Sequence, residues 1–204
     1  MKIIGLTGPS GAGKSTLCEK FEELDIPCID TDKVYHAITS RPSPCLSELA
    51  EAFGDSIIGK DGALDRPSLA RIVFSGERAE DDLALLNSIT HKYVFEETAK
   101  LIEEYERLGK IAVTIDAPAL FSSKRFVDAC DIIISVLCDS EIRLLRIMER
   151  DSISRENALS RMRSQPDDSF FIEHSDYYIT NAGKKEDMVE QLMSILERER
   201  LIKI

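Results

Sequence analysis

Five short apolar runs punctuate the chain, at 2–7, 26–29, 111–115, 131–138 and 177–180. They are continuous rather than alternating, which is the pattern of parallel strands covered on both faces. Between them, apolar residues recur near every 3.6 positions over 14–24, 47–53, 83–108, 140–150 and 185–200, which predicts amphipathic helices. Strand and helix alternate, so the expected fold is α/β: a doubly wound, five-stranded parallel sheet. The stretch from 30 to 110 is too long for a single crossover between parallel strands. Its turn formers are Arg41-Pro42-Ser43-Pro44, Gly54, Asp61-Gly62, Pro67 and Gly76, and it predicts a helical insertion.

Composition narrows the class. Of 204 residues, 43% are hydrophobic and 31% charged, ordinary values for a globular protein. No apolar run reaches membrane-spanning length, so no membrane partner is expected. The opening Met1-Lys2-Ile3-Ile4-Gly5 meets a glycine-rich turn too soon for a signal peptide. Lys and Arg number 26 against 37 Asp and Glu, a formal charge of −11, which argues against general nucleic-acid binding. The five cysteines form no C-x-x-C pair and suit reduced thiols in a cytoplasmic protein rather than a zinc site.

The chemistry is concentrated in Gly8-Pro9-Ser10-Gly11-Ala12-Gly13-Lys14-Ser15, which fits G-x-x-x-x-G-K-[ST]. It follows a predicted strand and opens a predicted helix, the context this motif requires. Gly11, Ala12 and Gly13 would turn backbone N–H groups toward phosphate oxygens, aided by the positive end of the helix. Lys14 can reach the β- and γ-phosphates and Ser15 can ligate Mg²⁺, while Thr16 can contact the α-phosphate. ATP with Mg²⁺ is therefore the expected co-substrate. No N-K-x-D base-reading motif accompanies the loop, and a motor or transporter ATPase is usually larger, so a small-molecule kinase fits best.

Such a kinase needs a carboxylate beside the acceptor hydroxyl and cations over the transferring group. Asp30-Thr31-Asp32 ends the second strand, and ligands gather at the carboxyl edge of a parallel sheet. Asp32 is the candidate base, with helix capping by Thr31 or Asp32 as the competing role. Arg143, Arg146 and Arg150 share one helical face, and Arg161 and Arg163 follow a break at 151–154, the pattern of a mobile arginine-bearing lid. Asp116 ends the third strand, where it either holds Mg²⁺ through water or satisfies local N–H groups.

These residues resemble the dephospho-coenzyme A kinase family. Besides the loop, the resemblance rests on Asp61-Gly62-Ala63-Leu64-Asp65-Arg66 and Leu86-Asn87-Ser88-Ile89-Thr90-His91. It extends through Asp116-Ala117-Pro118-Ala119-Leu120-Phe121, Arg146, Arg161 to Gln165, and Asn181-Ala182-Gly183. It implies transfer of the ATP γ-phosphoryl group to the ribose 3′-hydroxyl of dephospho-CoA. It also implies Arg146 as the lid arginine, Asn181 near the adenine of ATP, and Arg66, Asn87 and His91 on the acceptor side. The expected division is a core of 1–32, 109–145 and 171–204, an acceptor domain of 33–108 and a lid of 146–170, in a monomer or weak homo-oligomer. The chain departs from the family pattern at Tyr35-His36, where Ala-Arg is usual, at Lys92 in place of Pro, and at Ser122 in place of Glu. The segment 166–171 is also unusual. The alternative is a related kinase with another nucleoside, nucleotide or small-metabolite acceptor.

Overall fold

In the computed structural model, which describes residues 1–75 and 78–202, the five apolar runs become five strands. These are β1 (Lys2–Thr7), β2 (Cys28–Asp30), β3 (Ala112–Asp116), β4 (Ile132–Cys138) and β5 (Tyr177–Asn181). They form one parallel sheet in the order β2-β3-β1-β4-β5. β1 is therefore central, with Leu6 opposite Asp116 of β3 on one side and Ile134 of β4 on the other. All seven residues of β4 are buried, which is why its sequence is apolar without alternation. The second run is displaced: Ile26 is buried, but its N–H closes the end of the first helix on the Phe21 carbonyl (2.9 Å), so the strand begins only at Cys28.

Ten helices connect the strands among the described residues: α1 (Lys14–Glu23), α2 (Thr31–Thr39), α3 (Pro44–Phe53), α4 (Arg66–Ser75), α5 (Ala79–Arg107), α6 (Lys124–Ala129), α7 (Ser140–Asp151), α8 (Arg155–Arg163), α9 (Asp168–His174) and α10 (Lys185–Arg198). The chain divides into two units, Met1–Ile29 with Glu104–Ile204, and Asp30–Glu103. In the first, Leu17 and Phe21 of α1 and Leu192 and Leu196 of α10 pack with Ile4, Leu6 and Ile134 of the sheet. Each such side chain contributes about 1.5–3 kcal/mol on burial. No described helix is long and apolar enough to cross a membrane.

The second unit has its own core of Cys45, Leu46, Leu49, Ile57, Leu69, Val73 and Ile89. Two of the residues read as turn formers start helices instead. Pro44 opens α3 and Pro67 sits in the first turn of α4, where a missing N–H costs no helical hydrogen bond. Gly54 does terminate α3, and Gly62 (φ 77°) turns the chain between Ile58 and Leu64, which form an isolated antiparallel bridge. Gly76 lies outside the described residues.

Candidate active site

The loop 8–13 leaves the carboxyl end of β1 and enters α1 at Lys14. Gly8 and Gly13 both have positive φ (136° and 102°) and both are pressed by neighbours. A Cβ on Gly8 would overlap the Val136 carbonyl, and one on Gly13 would lie 2.5 Å from Asn181 Nδ2. Gly13 is the N-cap of α1 and supplies no capping side chain, and no acidic residue occupies the first turn. The helix therefore presents unpaired N–H groups and a positive dipole end to the loop, the arrangement that binds phosphate. Lys14 curls back so that its ammonium donates to the Gly8 carbonyl at 3.3 Å. Ser15 is exposed on the first turn of α1, and Thr16, half-buried, donates its N–H to the Gly13 carbonyl at 3.2 Å.

Residues distant in sequence hold this loop in shape. Asn181, almost fully buried at the end of β5, donates from Nδ2 to the Ala12 carbonyl at 2.7 Å and accepts the Gly183 N–H on Oδ1 at 3.0 Å. Its amide thus lies against the loop backbone. Arg146 donates to the Gly11 carbonyl at 3.1 Å, and Arg143 donates through Nε to the Ser10 carbonyl at 3.0 Å. Gln165 accepts the Ser10 N–H at 3.0 Å and donates to Ser10 Oγ at 3.3 Å. Arg143 is buried, and desolvation lowers its pKa while Asp168, 3.7 Å away, opposes the shift. The remaining arginines of this region are engaged differently. Arg150 makes a two-pronged pair with Asp151 (2.8 and 2.9 Å), Arg161 bonds the same carboxylate, and Arg163 is exposed. Asp151 is consequently held below its usual carboxylate pKa, with Arg150 the main cause. Ser152, in the left-handed region at φ 52°, separates α7 from α8.

Asp116 ends β3 beside β1, at the edge from which the loop departs. Cys18 of α1 donates to its Oδ2 at 3.5 Å. The Cys18 thiol is pushed up, first by its hydrogen bond to Cys28, then by burial and by the Asp116 charge. The donors available for a cation at this edge, the Ser15 hydroxyl and the Asp116 carboxylate, are few and hard. That suits Mg²⁺, which keeps several waters and takes the rest of its shell from substrate phosphates. No cluster of three His, Cys, Asp or Glu side chains exists among the described residues to favour a softer or fully protein-bound metal.

The acceptor-side candidates lie in the unit Asp30–Glu103 and are described within it. The N-cap of α2 is Asp30, whose carboxylate accepts the Lys33 N–H at 3.0 Å, and not Thr31 or Asp32 as the sequence suggested. Three consecutive residues are competent caps, and the strand's end at Asp30 selects the first of them. Asp32 is thereby exposed in the first turn and takes no part in the cap. Arg66 donates to His36 Nδ1 at 3.0 Å and to Thr39 Oγ1 at 2.9 Å, with its guanidinium 4.7 Å from the Tyr35 ring centre. A guanidinium can only donate, so His36 Nδ1 accepts and carries no proton in this pairing. Both residues that depart from the family pattern at 35–36 thus contact Arg66. Asn87 and His91 stand one turn apart on α5, Asn87 exposed and His91 half-buried, with burial lowering the His91 pKa from its ordinary 6.5.

Of these, the structure brings Lys14, Arg146 and Asn181 to the loop, with Asp116 at the same sheet edge, and groups Arg66 with Tyr35 and His36. Helical spacing groups Arg143 with the lid arginines and gives Gln165 no role of its own. Their grip on Ser10 leaves no periodic signal, because it joins positions 133 and 155 residues apart.

Comparison with known proteins agrees with this geometry. The sequence profile of the dephospho-CoA kinase family matches residues 2–187. A dephospho-CoA kinase of Bacillus cereus is 35% identical over 200 residues, covering 98% of each chain. One from Carboxydothermus hydrogenoformans is 36% identical over 198 residues, covering 97% of this chain and 94% of its own. Among solved structures, one from Thermus thermophilus superposes with a TM-score of 0.79 at 30% identity over 97% of both chains. Dephospho-CoA kinase from Campylobacter jejuni gives 0.70 at 25% identity, covering 98% of this chain and all of its own. A shikimate kinase from Acinetobacter baumannii, at 18% identity and TM-score 0.55 over 99% of this chain and 96% of its own, shares the fold. With its phosphate-binding loop intact and nearly its whole length matched, the chain belongs to the dephospho-CoA kinase family.

Proposed function

We propose that the chain transfers the γ-phosphoryl group of ATP to the ribose 3′-hydroxyl of dephospho-CoA, with Asp32 as the base. Family membership carries the reading that this is an ATP-dependent phosphotransferase, and the open N-terminus of α1 above the loop supports it. The N–H groups of Gly11, Gly13, Lys14 and Ser15, the Thr16 hydroxyl and the Lys14 ammonium hold the triphosphate. Ser15, and Asp116 through water, would hold the Mg²⁺ that accompanies ATP and neutralises phosphate charge. The acceptor oxygen forms its bond to the γ-phosphorus as the bond to the β,γ-bridging oxygen breaks. ADP leaves, and the hydroxyl proton passes to Asp32. The exposed, non-capping carboxylate of Asp32 supports that role.

Arg146 takes charge on the transferring group, and its present bond to the Gly11 carbonyl sets it at the loop. Arg66, Asn87 and His91 bind the acceptor, and Asn181 serves the ATP side. The segment 146–170 acts as the lid, flexing at Ser152, and excludes water while the acceptor domain of 33–108 is loaded. The five free thiols fit a reducing cytoplasm, and a monomer or weak homo-oligomer is the working assembly. The test is Asp32→Asn, followed by ADP release and by mass identification of CoA. Turnover should fall by about 10²–10⁴-fold, with ATP affinity and melting temperature unchanged. Undiminished CoA formation would remove Asp32 from the mechanism, and absence of CoA from the wild-type protein would remove the acceptor assignment.

A further inference from the structure

An uncharged cavity of about 410 Å³ opens beside the phosphate loop, entirely within the sheet-bearing unit. One wall is the segment after β3, with Phe121 and Ser122, and the other is formed by Gln165, Pro166, Phe170 and Phe171. Both stretches that depart from the family pattern on this side, Ser122 and 166–171, therefore meet in one place. Phe121 is edge-to-face with Phe170 (centroids 5.4 Å, 88°) and tilted against Phe171 (6.1 Å, 54°). His174 stacks on Phe170 at 4.2 Å and bonds its carbonyl oxygen through Nδ1 at 2.8 Å, which fixes the ring. Phe171 is buried and structural, whereas Phe121 and Phe170 are half-buried.

The lining selects its ligand. It contains no Lys, Arg, Asp or Glu, so it does not receive a phosphate. Its volume lies at the small end of ligand pockets and suits one bicyclic ring rather than a whole coenzyme. Aromatic edges and faces held at fixed angles favour a flat, rigid partner over a flexible amide-bearing arm. Ser122 Oγ donates to the Ala119 carbonyl (2.7 Å) and Ser164 Oγ to the Arg161 carbonyl (2.8 Å). Both hydroxyls are left as acceptors, which matches an exocyclic amine. One wall of the cavity follows β3, on the opposite side of β1 from β5, whose Asn181 meets the loop. We infer that this cavity seats the adenine ring of the acceptor against the Phe121–Phe170 pair, and so sets acceptor specificity. The inference rests on the acceptor being dephospho-CoA, as proposed above.

The chain contains no tryptophan, so Phe170→Trp introduces a single tryptophan, excited selectively above the tyrosine band, at the cavity. Its fluorescence should be quenched saturably by dephospho-CoA, and unaffected by 4′-phosphopantetheine (the arm without the base) or by ATP. Phe121→Ala, with melting temperature checked, should raise KM for dephospho-CoA roughly tenfold or more while leaving KM for ATP in place. Quenching by 4′-phosphopantetheine would assign the cavity to the arm, and quenching by ATP alone would assign it to the donor. Either would overturn the inference, as would normal turnover of dephospho-CoA with no quenching and an unchanged KM in Phe121→Ala. Failure of the wild-type protein to phosphorylate dephospho-CoA would overturn the acceptor assignment itself and is read separately from the fluorescence.

Discussion

Replacing Asn181 separates two roles that its position allows, bracing the loop and reading the base of ATP. Asn181→Ala removes the 2.7 Å bond to the Ala12 carbonyl and the 3.0 Å bond from the Gly183 N–H. Asn181→Asp keeps the shape and the Gly183 bond but has no donor, so an oxygen faces the Ala12 carbonyl. The shared defect is an unpaired carbonyl beside a buried side chain, a cost of about 1–3 kcal/mol. For a chain of this size each kcal/mol moves the melting temperature by about 2–4 °C. Both variants should therefore melt roughly 2–12 °C below the wild type, Asp at least as low as Ala. If the lost bracing lets the loop leave its phosphate-binding shape, nucleotide affinity falls by at most the same energy, up to roughly a hundredfold. Calorimetric titration with ATP and with inorganic tripolyphosphate decides the role. A brace predicts equal losses for the two ligands, because both use only the loop. Loss for ATP with tripolyphosphate unchanged would refute bracing and leave adenine contact, and unmoved melting temperatures in both variants would refute the energetic argument.

Other expectations follow from the same geometry. Gly8→Ala forces a Cβ onto the Val136 carbonyl at a positive φ, so ATP binding should be lost even in any fraction recovered folded, as an equilibrium dialysis measurement would show. Cys18, Cys45 and Cys130 should resist alkylation of the native protein at pH 8, since burial pushes Cys45 up to about 11 and Cys130 up to about 12, and Cys18 is raised as well. Rapid labelling of any of these three, followed by mass spectrometry, would contradict that. Glu199 accepts from Lys2 and from the Tyr177 hydroxyl (2.6 Å), and these bonds hold its pKa below the ordinary 4.5. A lowered folded-state pKa means stability that is fully present above pH 4.5 and lost as pH falls through the lower folded value. Glu199→Gln should thus melt below the wild type at pH 7, with the gap closing under pH 4.5. A gap independent of pH would count against the linkage.

The sheet and the loop were legible because buried strands and a phosphate loop leave contiguous marks. β1 and β4 are read directly from largely apolar runs without alternation, and the loop from glycines at fixed spacing. The helical insertion was harder. Pro44 and Pro67 look like breaks, yet at a helix start proline is harmless, and only the flanking three-dimensional contacts decide which case applies. The cap of α2 is not fixed by sequence, because Asp30, Thr31 and Asp32 are all competent caps until the strand's end is known. The braces on the loop were invisible for a different reason. Asn181 and Ala12 are separated by 169 residues, and no local pattern reports a hydrogen bond across that distance.

That separation has a consequence for how the protein is made. The phosphate-binding loop leaves the ribosome well before the residues that finish it. Ser10 and Ala12 wait for Arg143, Gln165 and Asn181, the last of which arrives 169 residues after its partner. At ordinary translation speeds of 5–20 residues per second this is a delay of roughly 8–34 s. For the first part of it β1 also lacks both neighbours in the sheet, since β3 and β4 are encoded beyond residue 111. The segment Asp30–Glu103, with its own core, has no such wait and is free to fold while the rest is still being synthesised. A helical unit with its own core is thus complete in the nascent chain while the bracing of the nucleotide loop waits for β5.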